Sequence, residues 1–138
     1  LDSDDVLPPT AYSDLVASLE ASGSDFATGS VLRWEPPPPD GKGLHEPPWL
    51  RRLHDPARAG ITIGAHPELL GDVFAWNKLF RRSFWESAGL SWPERIRYED
   101  QPTTTRAYLD SLAARPVATT AGVSAIVVNK WLTRSLFR

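Results

Sequence analysis

The sequence predicts a mixed α/β fold on three observations. Runs rich in Val, Leu and aromatic residues alternate with amphipathic helical runs, Gly and Pro punctuate the junctions, and no internal repeat recurs. With 41% apolar residues, six Trp and five Phe in 138 residues, the chain can build a core and reads as at most one ordinary domain.

The elements follow in order. Pro8 and Pro9 suit a helix start, and Tyr12, Leu15, Val16 and Leu19 repeat at the spacing of one buried helical face, with Gly23 as C-cap. DFATGSVLRW, residues 25–34, is a strand with imperfect alternation. EPPPPDGKGLHEPP, residues 35–48, has too many Pro and Gly for regular structure and is a long surface loop, after which WLRRLHDPAR is briefly helical. GITIG (60–64) is a short strand and HPELLGD a turn of helix. Residues 73–76 are an apolar extended piece leading to a helix that ends at Gly89, and LSWPERIRYED is a loop. Asp100 stands as N-cap of a further helix, with Pro102 in its first turn and Pro116 as its stop. The β-branched run PVATTAGVSAIVV is a strand, and NKWLTRSLFR a short basic amphipathic tail.

Composition excludes several classes. A formal net charge of −2 gives no electrostatic footprint for nucleic acid or an anionic membrane. There is no cysteine, hence no disulfide scaffold and no Cys zinc site. No apolar run approaches the roughly 18 residues of a membrane span. G-x-S-x-G, P-loop and G-x-G-x-x-G motifs are absent, and His45, His54 and His66 have no metal-ligand spacing and read as surface residues.

Three constellations remain. The acidic opening LDSDD carries Asp2, Asp4 and Asp5, an oxygen-only set that suits Mg²⁺ or Mn²⁺, and that equally fits a solvated terminus. Glu99 and Asp100 open a helix, where the dipole and free N–H groups favour a carboxylate able to accept a proton; the plainer reading is a cap. In WNKLFRRSFW, Asn77 and Lys78 are polar among aromatics. Lys78 can meet a phosphate or a sugar hydroxyl and Trp76 can offer a flat face to a sugar ring, or the stretch is simply a strand-to-helix corner with its aromatics in the core.

In sequence order, LDSDD, then FAWNKLFRRSFWESAGLSWPE, then RYEDQPTTTRAYL resembles the family 2 nucleotide-sugar-dependent glycosyltransferases of GT-A fold, bacterial type, over roughly residues 1–110. The resemblance implies a partial GT-A, Rossmann-like domain that lacks its N-terminal nucleotide-binding βα units, on the order of 90 residues at about 30 per unit. The whole chain, 1–138, would be the C-terminal, acceptor-side part of that domain, with an atypical tail over 113–138. It implies inverting, metal-dependent transfer of a sugar from a nucleotide-diphosphate sugar to the hydroxyl of a glycan or similar acceptor in the parent protein. Asp2, Asp4 and Asp5 would hold Mg²⁺ or Mn²⁺, Asp100 would be the general base with Glu99 beside it, and Trp76, Asn77 and Lys78 would line the substrate cleft. A cytoplasmic location is expected, with peripheral membrane association of the parent left open. Two other readings stand beside it. One is a catalytically inactive truncated scaffold or interaction module. The other is a haloacid-dehalogenase-type phosphatase, whose D-x-D-x-V-L opening LDSDDVL resembles and which would recruit Lys78, Glu99 and Asp100.

Overall fold

The structure is a computed structural model. It describes residues 5–111 and 117–128, residues 120–128 by backbone alone. The element order is α1 (Ala11–Ser22), β1 (Phe26–Trp34), β2 (Leu44–His45), α2 (Pro48–His54), β3 (Arg58–Ile61), a 3-10 turn (Pro67–Gly71), β4 (Lys78–Phe80), α3 (Arg82–Ser87), α4 (Asp100–Asp110) and β5 (Val117–Val128).

One mixed sheet organises these elements in the order β2-β1-β5-β3, with β4 also paired to β1. β1 and β5 run parallel over their whole shared length, and β3 closes antiparallel on β5. The opposite edge of β1 is divided between two short antiparallel strands, β4 at its start and β2 at its end. Between them Asn77 accepts the Gly29 N–H at 3.0 Å through its main-chain oxygen and donates its side-chain amide to the Gly29 carbonyl at 2.9 Å. The Asn77 amide therefore continues the ladder where no strand does.

The register places like residues in rows. Leu79, Ala27 and Ala118 line up across three strands and face Leu15 and Leu19 of α1. The next row on the other face is Phe80, Phe26 and Val117, and beyond it lie Lys78, Thr28 and Thr119. Phe26 is fully buried there, with ring centroids 5.1 Å from Phe80, 6.2 Å from Phe84 and 5.0 Å, edge-on, from Tyr108 of α4. Covered on both faces and paired on both edges, β1 is buried from Phe26 through Val31, which explains its weak alternation.

Several sequence expectations are corrected. The buried face of α1 is Ala11, Leu15 and Leu19; Tyr12 is 59% exposed and Val16 40% exposed, because the helix lies on small Ala27 and Ala118 and needs only a narrow stripe. Gly23 does end α1 in the left-handed region, φ 64°. The loop 35–48 contains β2 and the first residue of α2. The extended piece at 73–76 is irregular and the strand is Lys78–Phe80, the stretch that reaches the free edge of β1. The strand near 60–64 lies earlier, at Arg58–Ile61. Glu99, not Asp100, occupies the N-cap position of α4, because helical backbone already begins at Asp100; neither side chain caps the helix, and the Asp100 carboxylate bonds outside it. The Pro116 stop and the basic tail lie outside the described residues.

Arg81 ties the two faces of this unit together. Its Nε donates to the Ser24 carbonyl and its Nη2 to the Leu19 carbonyl, both at 2.7 Å, satisfying orphan groups at the C-terminus of α1. Arg81→Ala is expected to cost about 1.5–3 kcal/mol, read as a lower denaturant midpoint, with Arg81→Lys recovering only part because an ammonium lacks the planar fork.

Candidate functional site

The chemistry of this fold gathers under α4, on the sheet face opposite α1. Asp72, at the end of the 3-10 turn, is completely buried. Its Oδ1 takes the Lys78 ammonium at 3.0 Å and the Asn77 amide at 2.8 Å. Its Oδ2 accepts the Thr28 hydroxyl at 2.6 Å and the Tyr108 hydroxyl at 3.4 Å. His54 of α2 brings Nε2 to 3.4 Å of the same oxygen, yet neither of its ring nitrogens completes a hydrogen bond among the described residues. His54 is thus fully buried rather than at the surface, because α2 turns Leu50, Leu53 and His54 onto β1 and leaves Arg51 and Arg52 outside.

The electrostatics follow from enclosure. Burial opposes ionisation of Asp72, but the Lys78 charge, the His54 ring and the Thr28 hydroxyl outweigh it and hold its carboxyl well below the usual carboxylate range. Burial pulls the Lys78 ammonium below its ordinary value against the opposing attraction of Asp72 and Asp100. Burial, reinforced by the Asp72 charge, raises the Tyr108 phenol well above its usual range. The Lys78 ammonium also sits 5.5 Å from the centre of the Tyr108 ring.

Asp100 borders this network. It is half-buried in the first turn of α4, and its Oδ2 accepts the Ala75 N–H at 3.0 Å. One turn on, the Thr104 hydroxyl donates to the Val73 carbonyl at 2.8 Å, so α4 grips the 73–75 segment at two points. That segment carries two aromatic rings: Phe74 and Trp76 stack at 4.7 Å with planes 21° apart, and Trp49 of α2 stands 6.0 Å from Phe74. Trp49 remains 38% exposed and Trp76 half-buried. An open hollow of about 650 Å³ exists elsewhere, lined by Asp25, Phe84, Arg106 and Asp110 among others, and Asp72, Lys78 and Asp100 take no part in it.

Of the residues singled out from sequence, Trp76, Asn77, Lys78 and Asp100 come together around the 73–78 segment. The side chains of Asn77 and Lys78 are turned inward and engaged with Asp72. Glu99 is exposed. Asp2 and Asp4 lie outside the described residues, and Asp5 is half-buried ahead of α1. No group of three or more His, Asp or Glu among the described residues is placed to hold a metal ion. Sequence reasoning passed over Asp72, Thr28, Tyr108, Trp49 and Phe74. Only the position of Asp72 between LLG and an apolar run hinted at burial.

A parallel strand pair flanked by helices, with antiparallel strands on the same sheet, defines the class: a mixed, Rossmann-like α/β fold. Solved structures of S. aureus TarS, residues 1–349, share this fold. The complex with UDP-GlcNAc superposes with a TM-score of 0.72 at 18% identity, covering 94% of this chain and 34% of that one. The structure of the TarS segment alone gives 0.70 over 93% of this chain, and the complex with UDP 0.71 over 94%, each at 18% identity and 34% of the TarS chain. The chain therefore spans about a third of the length of these structures. No family model matches the sequence, and no curated protein matches it.

Proposed function

We propose that this chain is the acceptor-side part of an inverting, metal-dependent glycosyltransferase of family 2 type that moves a sugar from a nucleotide-diphosphate sugar to an acceptor hydroxyl. The observation that carries the reading is Asp100: a half-buried carboxylate with one oxygen fixed by the Ala75 N–H, beside the stacked Phe74 and Trp76 rings. The fold supports the same reading, since similar TarS structures were solved with UDP-GlcNAc and with UDP.

Inverting transfer needs one base on the face of the sugar opposite the leaving group. Asp100 takes the proton of the acceptor hydroxyl as that oxygen bonds to the anomeric carbon. The bond from this carbon to the diphosphate breaks, and its electron pair leaves with the nucleotide diphosphate. Trp76, with Phe74 and Trp49, offers ring faces to a sugar; Asn77 and Lys78 hold the wall behind them. The all-oxygen donors Asp2, Asp4 and Asp5 suit Mg²⁺ or Mn²⁺, which when bound neutralises charge on the departing diphosphate. A phosphatase reading would need Lys78 at a phosphate, whereas its ammonium is enclosed by Asp72, Asn77 and the Phe74 carbonyl. The acceptor is a glycan or other hydroxyl compound, and the expected location is cytoplasmic, on the strength of the sequence resemblance alone.

Calorimetric titration of the full-length protein with UDP or UDP-GlcNAc in the presence of Mn²⁺ is the direct test. Micromolar binding that is lost on chelation of the metal is expected. An absence of heat with both nucleotides would count for an inert module and against this reading.

A further inference from the structure

We infer that Lys78 is a positioning residue for Asp100, acting through the single peptide group that joins Phe74 to Ala75. The two contacts that matter lie on opposite ends of that group. The Lys78 ammonium donates to the Phe74 carbonyl at 2.8 Å, and the N–H of the same peptide, belonging to Ala75, donates to Asp100 Oδ2 at 3.0 Å. A cation on the oxygen end of a peptide draws electron density toward it and makes the N–H a stronger donor, so the two hydrogen bonds reinforce one another. The inference rests on the assignment of Asp100 as the base proposed above.

The arrangement is built rather than incidental. Lys78 is anchored by Asp72 Oδ1 and Asn77 Oδ1, each at 3.0 Å, on β4 of the sheet. From the other side α4 holds the same segment through Thr104 on the Val73 carbonyl. The peptide is thus clamped between sheet and helix, and Asp100 Oδ2 has one defined direction. Its Oδ1 makes no hydrogen bond among the described residues and is the oxygen left to receive a proton. An ion pair needed only for cohesion has no cause to present its cation to the peptide that holds the base.

The test uses the full-length protein. Lys78→Gln alone strands a buried carboxylate, so the informative variant is the neutral pair Asp72→Asn/Lys78→Gln, with folding verified by its circular dichroism spectrum. Two readouts are taken: UDP release from UDP-GlcNAc with Mn²⁺, and the amide resonance of selectively ¹⁵N-labelled Ala75. The expected result is a kcat lower by about 100-fold with donor KM within about twofold, as a displaced catalytic group gives. The Ala75 amide proton is expected to move upfield both in the double variant and in Asp100→Asn. An Ala75 resonance that responds to Asp100→Asn and ignores the double variant overturns the inference, as does an unchanged kcat. A coupled Ala75 signal in a wild-type protein that releases no UDP would instead overturn the assignment of the base while leaving the contact chain intact.

Discussion

Asp100→Asn is expected to abolish sugar transfer by the full-length protein, with turnover falling about 10²- to 10⁴-fold while donor affinity stays within about twofold. Asparagine can still accept the Ala75 N–H through its side-chain oxygen, so the 73–75 segment and its aromatic rings keep their support. What disappears is the capacity to take a proton. The split between lost turnover and retained binding, measured by UDP release and by calorimetry on the same preparation, separates a base from a donor ligand. Near-wild-type turnover would end the assignment of Asp100. Glu99, exposed one residue earlier, serves as the control, and Glu99→Gln is expected to leave donor binding unchanged.

The largest effect on stability is expected at Asp72. Asp72→Ala removes a fully buried carboxylate that receives Lys78, Asn77, Thr28 and Tyr108, and leaves a buried ammonium without its counter-charge. Losing one partner of such a pair costs about 3–5 kcal/mol, which is much of the stability of an ordinary domain. Removing both charges costs less than the sum of the single losses, and a double-mutant cycle with Lys78→Met should return a coupling of about 1–3 kcal/mol. The pH dependence has a defined sign. The folded-state pKa of Asp72 lies below the ordinary carboxylate value of about 3.9, so its contribution is complete above that value and is lost as pH falls through the folded pKa. Denaturant midpoints measured below about pH 4 should therefore fall more steeply for wild type than for Asp72→Asn. Parallel slopes would show that the pKa of Asp72 does not change on folding, and a shallower fall for wild type that its carboxyl is protonated in the folded protein.

How much of this was legible in the sequence depended on distance along the chain. α1 with its Gly23 cap, β1, β5 and α4 are set by local periodicity and punctuation, and all four were found, with errors at the ends and faces. The face of α1 was misjudged because Tyr12 and Val16 fit the helical spacing, while the sheet beneath presents only Ala27 and Ala118 to the helix. Asp100 was picked out by its place at a helix start, yet its actual partner, Ala75, lies 25 residues earlier and leaves no trace in the pattern. The Asp72 network was invisible for the same reason. Thr28, Asp72 and Tyr108 are separated by 44 and 36 residues and meet only once the sheet and α4 are in place. His54 reads as a surface residue because the three histidines show no metal-ligand spacing, whereas α2 turns it inward.

The parallel pairing of β1 with β5 has a consequence for how the molecule comes into being. Phe26 pairs with Val117 across 91 residues, the difference between the two numbers, and His54, Asp72, Lys78, Asp100 and Tyr108 all belong to the excursion between β1 and β5. Pairings of such range are slow to form because the intervening chain must be closed before any contact rewards it. During synthesis β1, with its run of buried residues, emerges long before its main partner exists. β5 is therefore the keystone of assembly: until it docks, the excursion has no closed frame in which Asp72, Lys78 and Asp100 can find one another.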